Sequence, residues 1–173
     1  MSDEINVVRV GPRDWAAWRD LRLRALLDAP AAYGSTYESQ LSRTEQQWRD
    51  RLDPSKGLSC ISMLDDRAVG MAAGHPEGDG LVGLISMWVS PEARGRGVGD
   101  GLVDEVVRWA GEQHAEAVEL WVTIGNERAE RLYARNGFVR TGATQPLPSD
   151  PAVDEIAMRL SLSGPGSSAP GPA

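Results

Sequence analysis

Arg94, Gly95, Arg96, Gly97, Val98 and Gly99 form a short run of alternating glycines, with two arginines among them, and a helical pattern follows at once. Glycine backbone lets successive N–H groups converge on one cluster of oxygens without interference from Cβ atoms. A helix that starts there adds the positive end of its dipole, and arginine side chains add charge-assisted hydrogen bonds. The chemistry is anion binding, and a pyrophosphate suits it better than a single carboxylate; the competing reading is a surface Gly-Arg turn. Two common phosphate loops are excluded. A nucleoside-triphosphate loop needs Lys then Ser or Thr after its last glycine, whereas Asp100 follows Gly99. A dinucleotide fingerprint needs G-x-G-x-x-G, and from Gly95, Gly97 or Gly99 the third glycine falls on Asp100, Leu102 or Asp104. The spacing present is Arg94-x-x-Gly97-x-Gly99.

The elements around this loop follow from periodicity and punctuation. Residues 5–10 read as a strand, broken by Gly11-Pro12, and Asp14 is placed to cap a first helix carrying Trp15, Trp18, Leu21, Ala25 and Leu26. Residues 31–40 read as irregular, and Thr44 to Gln47 form a capping-box pattern that opens a second helix. Strands are expected at 58–64, 68–74 and 81–89, the first two as a hairpin. A long helix is expected from 97 to 113, a strand at 118–123 and a helix from Asn126 that Gly137 stops. Last come strands at 138–140 and 155–162. Three strands in a meander followed by helices alternating with strands imply a mixed α/β sheet covered by helices. One domain over 1–162 is expected, with a disordered Gly/Pro/Ser/Ala tail at 163–173.

A second pattern lies downstream: Asn126-x-x-Ala129-x-x-Leu132-Tyr133-x-x-x-Gly137-Phe138. Together, on a strand ending Trp88-Val89 and two helices, the patterns resemble the cofactor motifs of the GCN5-related N-acetyltransferases (GNAT). The resemblance covers residues 5–162. It implies a central, mostly antiparallel sheet with a splayed parallel pair of strands, about four flanking helices, and acetyl-CoA as cosubstrate without a metal. It implies that the backbone of Met87, Trp88 and Val89 lines the pantetheine arm and supplies an N–H to the oxyanion of acyl transfer. It assigns the pyrophosphate to the amides of Arg94, Gly95, Arg96, Gly97, Val98 and Gly99. Arg94 and Arg96 have a charge reason to help; facing solvent is the other reading of both, and an equal one for Arg96. Asn126 would bond pantetheine, with helix N-capping as its other reading. Ala129 would let the cofactor approach, with helix propensity as its other reading. Tyr133 would protonate the departing thiolate as general acid, with core packing as its other reading.

The base is harder to place. An alkylammonium has a pKa of about 10.4 and must lose a proton before it attacks. The strand 84–89 holds no carboxylate, so Glu38 ranks first as base and His75, beside Glu77, second. Tyr33, Tyr37, Trp88 and Trp121 are candidate walls of an acceptor site. The acceptor implied is a small amine, such as an amino acid, a polyamine or an amine-bearing antibiotic. A peptide or protein N-terminus and a catalytically silent acyl-CoA-binding module are the alternatives.

Bulk properties narrow the classes. A net charge of −7 argues against a nucleic-acid partner. Lys56 is the only lysine, so basic contacts to a phosphate must come from arginine. No apolar run is long enough to span a membrane, and no secretory pattern opens the chain. Cys60 stands alone, which excludes an internal disulfide and fits a cytoplasmic setting. Nothing near Cys60 suggests a nucleophile, so direct transfer is expected. The family resemblance adds a homodimer as an expectation.

Overall fold

The structure, a computed structural model, describes residues 4–162; the tail expected at 163–173 lies outside the described residues. The chain runs through β1 (Ile5–Arg9), α1 (Trp15–Asp28), α2 (Tyr37–Leu41), α3 (Glu45–Arg51), β2 (Leu58–Leu64), β3 (Arg67–Gly78), β4 (Leu81–Val89), α4 (Val98–Glu112), β5 (Ala117–Thr123), α5 (Glu127–Arg135), β6 (Val139–Leu147) and β7 (Asp150–Ser161). The strands form one seven-stranded sheet in the order β1-β2-β3-β4-β5-β7-β6. Every neighbouring pair is antiparallel except β4 and β5. No described helix is long and apolar enough to cross a membrane.

Two apolar clusters sandwich the sheet. On one face Val98, Leu102, Val106 and Trp109 of α4 pack with Tyr133 of α5 onto Val118, Leu120 and Val122 of β5. On the other, Trp18, Leu21 and Leu26 of α1 and Trp48 of α3 pack onto Met71 and Ala73 of β3. The alternating strand positions of β5 explain the division: Val118, Leu120 and Val122 are buried on the first face, while Glu119, Trp121 and Thr123 point to the second.

The expected mixed fold is the observed one, with local corrections. The segment 31–40 is not irregular throughout: Thr36 accepts a hydrogen bond from the Ser39 N–H and opens the five-residue α2. Asp14 stands at the N-cap of α1 without capping it; its carboxylate instead accepts from the Gly11 N–H, 2.9 Å away. β3 runs on to Gly78, which places His75 and Glu77 within the strand. The strands expected at 138–140 and 155–162 are the ends of one long hairpin, β6–β7. Its prolines argue locally against strands; Pro146 is tolerated because β6 is the edge of the sheet, and Pro151 because it precedes the stretch of β7 that pairs with β5, which begins at Glu155.

Candidate active site

The parallel pair β4–β5 is the opening in the fold. Register holds only at Leu81↔Ala117, Val82↔Val118 and Gly83↔Glu119, after which the strands part. A bulge in β4 accompanies the parting. Ala73 pairs with Ile85 and Met71 with Trp88, so β4 uses three residues where β3 uses two, and Ser86 takes a left-handed φ of 57°. A bulge bends a strand and increases its twist, which turns the end of β4 away from β5. The result is a cleft of about 790 Å³, within the range of small-molecule sites. Beyond Gly83, β4 has no strand partner on its β5 side, so its backbone groups there are left for something other than a sheet.

Met87, Trp88, Val89, Arg94, Gly95, Gly97, Val98 and Gly99 all line this cleft, as do Asn126, Ala129 and Tyr133 from the other wall. The glycines do different work. Gly95 (φ 78°) and Gly97 (φ 84°) occupy left-handed backbone, and Gly97 is the N-cap of α4 without any side-chain cap. The first N–H groups of α4 are therefore not served by a capping side chain. Gly99 instead answers to space, because a Cβ there would come within 3.0 Å of Leu132 on α5.

The arginines divide. Arg94 lines the cleft, but it is held in place: its Nε donates to the Val89 carbonyl at 3.1 Å and its Nη2 to Asp28 at 2.5 Å. Asp28, unnoticed in the sequence, also accepts from Trp88 Nε1 at 3.0 Å. The Trp88 bond first, and then Arg94, holds the Asp28 carboxyl below the usual aspartate range against the opposing effect of burial. Arg96 is exposed and does not line the cleft. Asp100 ties α4 to α5 through a two-pronged pair with Arg135 at 2.8 and 2.9 Å.

Tyr133 and Tyr33 contrast within one cleft. The Tyr33 hydroxyl donates to the Met87 carbonyl at 2.7 Å and so is committed to holding β4. Tyr133 is 6% exposed, packs against Phe138, and its hydroxyl makes no hydrogen bond among the described residues. Burial pushes its pKa well above the ordinary phenol value, so it stays protonated at any physiological pH. Asn126 caps α5, its Oδ1 accepting from the Ala129 N–H at 3.3 Å.

The residues expected as bases are not brought to the cleft. Glu38 is exposed on α2 and lines neither this cleft nor the smaller cavity that adjoins it, and Tyr37 also lines neither. His75 faces Glu77 at 3.9 Å and also lines neither. Cys60 is buried and donates to the Ala72 carbonyl; burial pushes its thiol up to about 12, which fits no nucleophilic role.

A second cavity of about 340 Å³ adjoins the cleft on the α1/α3 face, and the two share Ala32, Tyr33, Leu84, Ile85, Ser86 and Trp121. Its far wall carries Arg22, Arg43 and Arg51, and its sheet wall Glu77, Glu119 and Glu155. None of the arginines stood out in the sequence. A signal was present: Arg22 falls in the buried stripe of Trp18, Leu21, Ala25 and Leu26, and Arg51 adjoins Leu52 in the stripe of Trp48. An arginine on the apolar side of a helix needs a reason.

A profile of the "Acetyltransferase (GNAT) family" matches residues 15–138. A mycothiol acetyltransferase of Beutenbergia cavernae is 30% identical over 137 residues, which cover 70% of this chain and 40% of that protein. The chain thus spans about two-fifths of this relative's length. Among solved structures, a GNAT-family acetyltransferase of Streptococcus pneumoniae superposes with a TM-score of 0.76 at 17% identity, covering 91% of this chain and 99% of the other. A putative acetyltransferase of Salmonella typhimurium, determined with its cofactor acetyl-CoA, superposes with a TM-score of 0.72 at 20% identity, covering 98% and 99%. At these identities the superpositions establish the fold.

Proposed function

Because this chain belongs to the GNAT family of acetyltransferases, we propose that it transfers the acetyl group of acetyl-CoA to the primary amine of a small-molecule acceptor, by direct attack with both substrates bound. The observation that carries this reading is Tyr133: a buried, protonated phenol with an uncommitted hydroxyl, facing a cleft opened where β4 parts from β5.

The chain fits the cosubstrate. Gly95 and Gly97 hold the left-handed backbone that gathers N–H groups, and the uncapped start of α4 adds its dipole, so this loop would hold the pyrophosphate. Arg94, anchored by Asp28 and Val89, acts there as a fixed positive charge that shapes the loop. Asn126 and the small Ala129 would flank the pantetheine arm on one side, with the edge of β4 at Met87, Trp88 and Val89 on the other. Acetyl-CoA, when bound, supplies an acyl group on a thiol leaving group.

The roles left to the protein are electrostatic and protic. Backbone N–H groups on the unpaired side of β4 stabilise the oxygen on which negative charge develops. Tyr133 Oη gives its proton to the departing sulfur as the C–S bond breaks and the new C–N bond forms. Glu77, Glu119 and Glu155, in the adjoining cavity, are the carboxylates able to take up the proton that the ammonium must lose. Neither Glu38 nor His75 is needed for this.

The test is thiol release from acetyl-CoA in the presence of a panel of amines, alongside Tyr133→Phe. Turnover that collapses in the variant, while acetyl-CoA still raises its melting temperature, supports the reading. Tight acetyl-CoA binding without turnover of any amine would instead mark a silent binding module.

A further inference from the structure

Three buried hydrogen-bond donors without a partner meet in the second cavity: Nη1 of Arg22, Nη2 of Arg51 and Nε1 of Trp48. None of them can accept a hydrogen bond, so whatever satisfies them must be rich in acceptors. Arg43 lines the same wall. Other arginines of this acidic chain do find carboxylates: Arg9 pairs with Glu105 and Glu112, Arg94 with Asp28 and Arg135 with Asp100. Among the described residues, Arg22, Arg43 and Arg51 hold no hydrogen bond and no ion pair.

They are nonetheless positioned. Aromatic faces carry them: Arg22 stacks over Tyr33 at 4.8 Å, Arg43 over Trp48 at 5.5 Å and Arg51 over Trp18 at 5.7 Å. Stacking fixes a guanidinium while leaving its N–H edge uncommitted. Burial, then the charges of Arg51 and Arg43, pull the Arg22 pKa below the ordinary arginine range, and burial does most of the same to Arg51. Like charges gathered in a half-dry site without a counter-ion are costly unless an anion joins them.

The opposite wall has the opposite sign. Glu155 is 7% exposed and accepts from the neutral amide of Gln145. Glu119 is held by Arg159, and Glu77 lies nearby on β3. Among the described residues, no ion pair crosses the cavity between the arginine and glutamate walls.

Resting on the reading of the adjoining cleft as the acyl-donor site, we propose that this cavity receives the acceptor as a small zwitterion. It is an amine carrying an oxyanion, carboxylate or phosphate, in the same molecule. Arg22, Arg43 and Arg51 take the oxyanion, and the glutamate wall draws the ammonium toward the seam at Tyr33, Ser86 and Trp121 that both cavities share. Polyamines and amine-only antibiotics are disfavoured, because they leave the arginine wall, with its buried Nη1 of Arg22 and Nη2 of Arg51, without an acceptor.

The test uses the full chain with the twenty common L-amino acids, their carboxamides, O-phosphoethanolamine and spermidine. Melting temperature without acetyl-CoA reads the cavity alone, and the shift on adding acetyl-CoA reads the cleft alone, so either reading can fail separately. An amino acid or O-phosphoethanolamine is expected to stabilise the protein and to be acetylated, which also tells carboxylate from phosphate. A carboxamide should lose about 10- to 100-fold in kcat/KM against its acid. Arg22→Gln with Arg51→Gln should raise KM for the acid by about 100-fold, by the same kind of charged hydrogen bonds, and leave the acetyl-CoA shift unchanged. Arg22→Lys, which keeps the charge without the fork, should fall between. Spermidine or carboxamides used as well as the acids, an unchanged acid KM in the double variant, or no acid that stabilises the protein would each overturn the proposal.

Discussion

The cleft at the glycine loop and the arginine-lined cavity share a seam of side chains, yet they are assembled in opposite ways. The cleft is mostly backbone: the unpaired edge of β4, two left-handed glycines and the start of α4. The cavity is mostly side chain, collected from α1, α3, β3, β5 and β7. Backbone surfaces suit a ligand part that never changes, such as a phosphate chain, since every residue type but proline supplies the same N–H. Side-chain surfaces can be altered one residue at a time without touching the sheet. A fold that separates them in this way can keep one donor while the acceptor varies.

Experiments can break that division. The largest effect is expected from Tyr133→Phe, which should lower kcat by about 100-fold or more while leaving the acetyl-CoA melting shift intact. A variant as active as the wild type would place Tyr133 in the core and nothing else. Next is Gly97→Val, which forces a β-branched residue into left-handed backbone at a cost of about 1–2 kcal/mol. Its melting temperature should fall by about 3–6 °C, with weaker acetyl-CoA binding and an unaltered preference among acceptors. An altered preference would mean the two regions are not separable.

Asp28 sharpens the comparison through pH. Its folded pKa lies below the ordinary aspartate value, so its contribution to stability is present above about pH 4 and is lost as pH falls through the folded pKa. Asp28→Asn should cost under about 1 kcal/mol at neutral pH, since the carboxylate is partly solvated. Denaturation curves of variant and wild type should converge once the pH has fallen below the folded pKa of Asp28. Smaller still, Glu38→Gln should leave kcat/KM within about 2-fold, as expected of an exposed site. Last, a thiol reagent at pH 8 should modify Cys60 only after unfolding; rapid labelling of the native protein would contradict its burial.

How much was legible depended on distance along the chain. The capping box at Thr44, the β3–β4 meander and the order of α4, β5 and α5 follow from neighbouring residues and appear as read. The long hairpin β6–β7 was read only at its ends, because Pro146 and Pro151 argue locally against strands that the edge position of β6 and the unpaired start of β7 on its β5 side permit. Ser86 gives no local sign of its left-handed turn; that conformation answers to the mismatch between β3 and β4. Arg94 lines the cleft, but Asp28, its partner, lies 66 positions away and gave no local sign of the pairing.

The sequence by itself determined the glycine loop, its place between a strand and a helix, and Tyr133 on the helix downstream, because each rests on contacts within a few residues. Only the tertiary structure decided where β4 leaves β5, which arginines go without a carboxylate and which glutamates face them. Those outcomes depend on pairing and packing between distant segments, and residue types alone do not encode which distant partner each side chain meets.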